Sequence, residues 1–235
     1  MISSLIYPRR CPVCTDIVYP KDKYCCDRCK NVFKKIEGPR CLKCSRPVEN
    51  EVIEYCYDCQ RLEFSYERGF SIWLYDDKLK KSIIDFKYKG KKEYADYYAE
   101  EMFETLGKRI KSLNADCMIP VPIHKKKYNI RGFNQAQVIA KKLGNYLDIP
   151  VIDYALIRVI NTTPQKELDN KERRKNLMKA FDIKDKQIFK RDNINNVLLI
   201  DDIYTTGSTI EACTRKLKQA GVSKVYFAAL CIGIG

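Results

Sequence analysis

The sequence predicts an α/β protein: a mainly parallel sheet flanked by helices, with a small cysteine-rich lobe in front of it. Three observations predict this. Eight of the twelve cysteines form four C-x2-C pairs before residue 60. After residue 60, short apolar runs alternate with helical patterns, as strand–helix–strand units require. One of those runs, Val197 to Ile200, is apolar without interruption, as a parallel strand buried on both faces should be.

The cysteine pairs are Cys11/Cys14, Cys26/Cys29, Cys41/Cys44 and Cys56/Cys59, each starting fifteen residues after the last. A C-x2-C knuckle brings two thiolates to one metal, and two knuckles make the tetrahedral sulfur site that suits Zn2+. Eight thiolates hold one or two ions, with consecutive knuckles sharing an ion or alternate knuckles cross-braced. Cys25 competes with Cys26 for one position, and the even spacing favours Cys26. With sulfur in every position there is no place for substrate, so this zinc is structural. A segment of about sixty residues so poor in aliphatic side chains draws much of its folding free energy from metal.

The start, MISSLIYPRRCPVC, lacks the charged and apolar regions of a signal peptide. No apolar run reaches the roughly 18 residues of a membrane span. A cytoplasmic protein is expected, in which cysteines remain thiols or metal ligands. Net charge is +14, from 44 basic and 30 acidic residues, which favours a polyanionic partner.

The expected organisation is a zinc-binding domain over 1–60 and an α/β domain over 61–235. FSYERGFSIWLYDD alternates aromatic and polar residues as a strand or hairpin does. KLKKSIIDFKYKGKKEYADYYAEEMFETLGKRI is helical in pattern with a break at Gly90. CMIPVPIH reads as a strand ending in a turn, NQAQVIAKKLGNYL as a helix, and VIDYALIRVI as a further strand. The polar stretch 161–179 is a candidate lid. A helix over 208–220 closes at Gly221, and VSKVYFAALCI is the last strand. Cys117, Cys213 and Cys231 lie in apolar patterns and read as core. The single histidine, His124, reads as a turn residue. Trp73, Phe86 and Tyr88 read as packing.

The chemistry concentrates at VLLIDDIYTTGST. Asp201 and Asp202 end a strand, and the small residues Thr205, Thr206, Gly207, Ser208 and Thr209 open a helix. Backbone N–H groups and the helix dipole make such a loop an anion site. The two carboxylates repel a purely anionic ligand, so the ligand must also carry hydroxyls, a divalent metal, or both. A phosphorylated sugar with free hydroxyls satisfies every part, with its phosphate on the loop and its hydroxyls on the aspartates, directly or through Mg2+-bound water. Neither G-x-x-x-x-G-K-[ST] nor G-x-G-x-x-G is present.

This segment resembles the phosphoribosyl-pyrophosphate (PRPP) motif of type I phosphoribosyltransferases. Cysteine knuckles, PVP at 120–122, RGFNQA from Arg131, and TTPQKELDNKERRKNLMKAF make nearly the whole chain similar to the ComF family of competence-associated proteins. In the last of these segments Gln165, Leu168, Arg173, Asn176 and Phe181 fall at the family's positions. Ser45 departs from the glycine expected in its knuckle. The resemblance implies a type I phosphoribosyltransferase-like sheet and PRPP bound with Mg2+. It also implies transfer of a phosphoribosyl group to a nitrogen acceptor, with Asp201 and Asp202 at the catalytic centre. Arg131, with Lys125, Lys126 and Lys127, faces the pyrophosphate; residues about 61–90 form the hood; Arg173 or Lys175 closes from the lid. It implies a role in competence and DNA uptake as well. The alternative is a non-catalytic module that handles single-stranded DNA and keeps the fold as a nucleotide sensor. Lys87, Lys89, Lys91 and Lys92 are its candidate contacts, in a stretch with seven lysines against one aspartate over 78–92.

Overall fold

The computed structural model describes residues 8–161 and 177–233. Its strands are β1 (Gly69–Leu74), β2 (Cys117–Pro120), β3 (Leu156–Arg158), β4 (Phe181–Ile183), β5 (Asn196–Tyr204) and β6 (Lys224–Ile232). Four of them form one sheet in the order β1–β6–β5–β2, every neighbouring pair parallel. The helices are α1 (Tyr57–Arg61), α2 (Asp77–Tyr88), α3 (Tyr94–Lys111), α4 (Lys125–Arg131), α5 (Gln135–Leu147), α6 (Gln187–Arg191) and α7 (Ser208–Gln219).

The sheet is covered on both faces, so its strands are mostly apolar, and all six residues of β1 are buried. Side chains alternate between two cores. Leu198, Ile200, Ala228 and Leu230 join one with residues of α2, α3 and α5, while Val197, Leu199, Phe227 and Ala229 join the other with residues of α7. The cysteine-rich lobe contributes to both cores. Cys11, Cys29 and Phe33 belong to the first, Cys41, Cys44 and Cys56 to the second. Between them, residues 34–36 pair with the open edge of β1: the Ile36 N–H donates to the Ile72 carbonyl (3.0 Å) and the Leu74 N–H to the Lys34 carbonyl (2.9 Å). An unpaired parallel edge is thereby covered.

Several local expectations change. Of the two alternatives for FSYERGFSIWLYDD, the strand is the one found: β1, paired in parallel with β6. VIDYALIRVI does not enter the main sheet as a strand. Only Leu156–Arg158 is extended, pairing antiparallel with β4, while Val151 makes an isolated parallel bridge to Met118. β5 runs on past the aspartates, because Ile203 and Tyr204 pair with Cys231 and Ile232. The basic stretch after His124 is helical, and the His124 ring nitrogen Nδ1 accepts from the Lys126 N–H as its N-cap. The break at Gly90 falls between α2 and α3, at a φ of +67° that suits glycine.

Candidate functional site

A cavity of about 290 Å3 opens beyond the carboxyl ends of β2 and β5, where open α/β sheets bind ligands. Three sequence segments converge there. The Pro120–Pro122 segment, Arg131 with the RGFNQ run, and the aspartate pair all contribute to its wall. Asn134 joins two of them, since its side chain caps α5 by accepting from the Ala136 N–H and donates to the Val121 carbonyl (3.0 Å).

Four cations, Lys87, Lys127, Arg131 and Arg158, face two carboxylates, Asp201 and Asp202. Lys87 is ion-paired with Asp202, and both side chains are largely buried. Burial pulls the Lys87 ammonium down, but Asp202 and then Asp201 outweigh it, so its pKa is raised. Burial, reinforced by the charge of Asp202, pushes the Asp201 carboxyl well above the usual carboxylate range. Lys127 is lowered by burial and then by the like charges of Arg158 and Arg131. The cavity therefore carries an excess of positive charge that an anion relieves. Arg131 donates to Gln135 Oε1 and to the Tyr88 hydroxyl (both 2.7 Å) and lies over the Tyr88 ring. Through that bond Arg131 lowers the Tyr88 phenol.

The loop 205–209 meets the cavity through Thr205 and Thr209. Thr206 is exposed, and its hydroxyl contacts that of Ser208 (3.0 Å). Gly207 is buried at φ +74°, where a Cβ would stand 2.5 Å from the Tyr204 hydroxyl and 2.9 Å from the Phe64 ring. Only glycine fits that position. Behind it, Tyr204 stacks on Phe227 and its hydroxyl meets that of Tyr66 (2.8 Å). Glu211 of α7 accepts from the Ser65 N–H (2.7 Å) and hydroxyl (2.8 Å).

The cysteines gather as two clusters built from consecutive knuckles, which excludes the cross-braced pairing. The Sγ atoms of Cys41, Cys44, Cys56 and Cys59 lie within 4.8 Å of one another, as do those of Cys11, Cys14 and Cys29. Tetrahedral Zn–S bonds of about 2.3 Å place sulfurs about 3.8 Å apart, so four convergent thiolates suit the ion. Cys44 and Cys56 are 3.6 Å apart. At the first cluster Cys25 sits 3.6 Å from Cys11 and Cys26 sits 3.9 Å from Cys14, so both candidates for the fourth position border it. Ser45 has φ +70° and its counterpart Thr15 has +67°, which explains why that knuckle position favours glycine.

The structure separates the four lysines of α2 and its following turn. Lys87 faces the cavity, whereas Lys89 pairs with Asp85 (2.8 Å), Lys91 approaches Glu93 (3.8 Å), and exposed Lys92 lies over Phe133. Lys126 and Lys125 are exposed and do not line the cavity among the described residues. Gln165, Leu168, Arg173, Lys175, Asn176 and most of the 161–179 segment lie outside the described residues. Phe181, Trp73, Phe86, Cys117, Cys213 and Cys231 are buried, while Tyr88 is exposed beside Arg131. Sequence reasoning missed Arg158, hidden in a run that reads as an ordinary strand, and gave Lys87 no partner. It also missed Arg46, whose guanidinium reaches the Thr205 carbonyl.

Residues 2–60 match the double zinc ribbon domain. The chain is similar to "Competence protein F" of Haemophilus influenzae, 28% identical over 92% of this chain and 93% of that one. It is also similar to "Competence protein ComFC" of Bacillus subtilis, 30% identical over 85% of this chain and 80% of that one. Among solved structures, a purine phosphoribosyltransferase from Pyrococcus horikoshii aligns at 16% identity over 58% of this chain and 73% of that one, with a TM-score of 0.34. The double zinc ribbon and the converging thiolates together make the cysteine lobe a structural zinc site. No helix among the described residues is long and apolar enough to cross a membrane.

Proposed function

The chain belongs to the ComF family of competence proteins, and from that premise we propose that its cavity binds PRPP with Mg2+ and transfers the phosphoribosyl group to a nitrogen acceptor. One observation carries this reading: an excess of cations and a pair of carboxylates share a cavity edged by the helix-opening loop. The loop amides and the α7 dipole take the terminal phosphate. Asp201 and Asp202 hold the ribose hydroxyls. Arg131, Lys127 and Arg158 face the pyrophosphate, whose departure they favour by holding fixed positive charge where negative charge develops. The bond from the anomeric carbon to pyrophosphate breaks with its electron pair, the acceptor nitrogen bonds that carbon, and the nitrogen sheds its proton. Mg2+, when bound, supplies further charge neutralisation on the pyrophosphate. A zinc lobe over 1–60, an α/β body over 61–235, a hood near 61–90 and a lid near 161–179 belong to this proposal. The test is pyrophosphate release from PRPP across a panel of nitrogenous bases, lost in Asp201→Asn/Asp202→Asn. Absence of release with every acceptor reduces the reading to ligand binding.

A second reading, single-stranded DNA handling in competence, has its own support. Tyr88, Tyr128 and Ile130 are exposed close to Lys89, Lys92, Lys125 and Lys126 in sequence and on the adjoining helices α2 and α4. Aromatic faces with lysines are the usual platform for unpaired bases. Salt-sensitive binding of oligonucleotides, weakened by neutralising Lys89, Lys91 and Lys92, is the expected outcome; binding indifferent to salt contradicts it.

A further inference from the structure

The cysteine lobe repeats itself at a distance of thirty residues, and the repeat extends beyond the metal ligands. Cys11, Cys14, Cys26 and Cys29 correspond to Cys41, Cys44, Cys56 and Cys59. The Cys11 N–H donates to the Asp16 carbonyl (2.8 Å), as the Cys41 N–H does to the Arg46 carbonyl (2.7 Å). Asp16 is ion-paired with Arg28, which lies between Cys26 and Cys29; Arg46 is ion-paired with Asp58, which lies between Cys56 and Cys59. One inter-knuckle salt bridge thus occurs twice with its charges exchanged.

The exchange has a geometric consequence. In the first repeat both side chains are mostly exposed. In the second, Arg46 is largely buried, 13% exposed, and its guanidinium has a second arm beyond the one that holds Asp58. Its Nη1 donates to Asp58 (2.7 Å) while its Nη2 donates to the Thr205 carbonyl (2.7 Å), across 159 residues of sequence. Thr205 lines the cavity. An aspartate at position 46 has no donor for that carbonyl, and an arginine at position 58 starts from the opposite knuckle. Phe64 under Gly207 and Ser65 on Glu211 complete a wall in which the residues after the second knuckle pair support the loop and α7.

We propose that Arg46 is a positioning residue that ties the second zinc knuckle pair to the phosphate loop, so that the shape of the loop depends on that zinc site and not on the first. The coupling rests on the cavity being the ligand site proposed above, but the link itself is readable without ligand. The experiment follows amide hydrogen exchange over 203–209 in the full zinc-loaded chain, together with zinc content and a PRPP–Mg2+ titration. Three variants are compared: Arg46→Met, Arg46→Lys, and the exchange variant Arg46→Asp/Asp58→Arg, which rebuilds the salt bridge in the sense of the first repeat. In Arg46→Met and the exchange variant, loop exchange rises about tenfold, the loss expected for one charge-assisted hydrogen bond. Zinc content and exchange at β1 stay unchanged in both. Arg46→Lys, with a single ammonium, recovers part of the protection. Loop protection that is unchanged in Arg46→Met overturns the proposal. So does an exchange variant that protects the loop as well as the parent does, because the bridge alone is then sufficient. Loss of zinc in step with loop protection overturns it too, making Arg46 a structural part of the knuckles. If the parent fails to bind PRPP while the exchange pattern appears as expected, the ligand reading fails and the Arg46 link stands.

Discussion

The two zinc knuckle pairs have the same ligand spacing and the same backbone bond from their first cysteine, yet they serve opposite faces of the sheet. The first packs Cys11, Cys29 and Phe33 against Trp73 and Tyr97, with Phe33 edge-on to Trp73 at 5.2 Å, and none of these lines the cavity. The second packs against Phe64, Tyr66 and Tyr204, the residues that stand directly behind Gly207. A duplicated unit has therefore become a clamp on the core in one copy and a support for the candidate binding loop in the other. The ligand spacing is the same in both; what differs is what the knuckle touches. Zinc need not approach a ligand to govern its binding, because a structural ion fixes the backbone from which second contacts reach.

The comparison can be broken by removing each site in turn, and this carries the largest expected effect. Cys44→Ser should weaken PRPP binding by at least about tenfold, the value of one lost charge-assisted contact, as read by calorimetry. Cys14→Ser should lower the thermal midpoint while leaving affinity within about threefold of the parent. Equal losses of affinity from both variants contradict the division of labour.

Gly207→Ala probes the loop from the other side. A left-handed backbone and a Cβ pressed on Tyr204 and Phe64 should cost about 2 kcal/mol or more in denaturant unfolding. Asp201→Asn should act in the opposite direction on stability. Because the folded Asp201 pKa is raised, its carboxylate destabilises the fold as pH rises above the ordinary carboxylate range, and the penalty is fully developed above the raised pKa. The asparagine variant should therefore gain stability over the parent as pH increases, in thermal scans at several pH values, while losing PRPP binding. A variant destabilised equally at every pH contradicts the burial of a charged Asp201.

Smaller effects sharpen the likeness of the repeats. Thr15→Gly and Ser45→Gly each relieve a left-handed backbone and should each add about 0.5–1 kcal/mol to unfolding stability. Arg28→Gln, in the exposed bridge of the first repeat, should change stability by no more than about 0.5 kcal/mol.

Much of this was legible in the sequence because it rests on local rules. Cysteine spacing marked the knuckles, the uninterrupted VLLI run marked a strand buried on both faces, and TTGST marked a helix opening beside two acids. Spacing alone fits either pairing of the knuckles, and only the convergence of the thiols in space decides for consecutive ones. Lys87 read as one of many lysines because its ion pair with Asp202 joins residues remote in sequence. Arg158 was obscured by flanking apolar residues, although β3 leaves the main sheet and carries it to the cavity. The signal for Arg46 is a charge reversal: position 46 carries the opposite charge to its counterpart, Asp16, in an otherwise regular repeat.

The most direct measurement is a calorimetric titration of the full zinc-loaded chain with PRPP in the presence and absence of Mg2+, repeated on Asp201→Asn/Asp202→Asn. Saturable binding to the parent that Mg2+ strengthens and the double variant lacks is the expected result. A parent chain that takes up no PRPP with the metal present, or a double variant that binds as well as the parent, contradicts the assignment of this cavity.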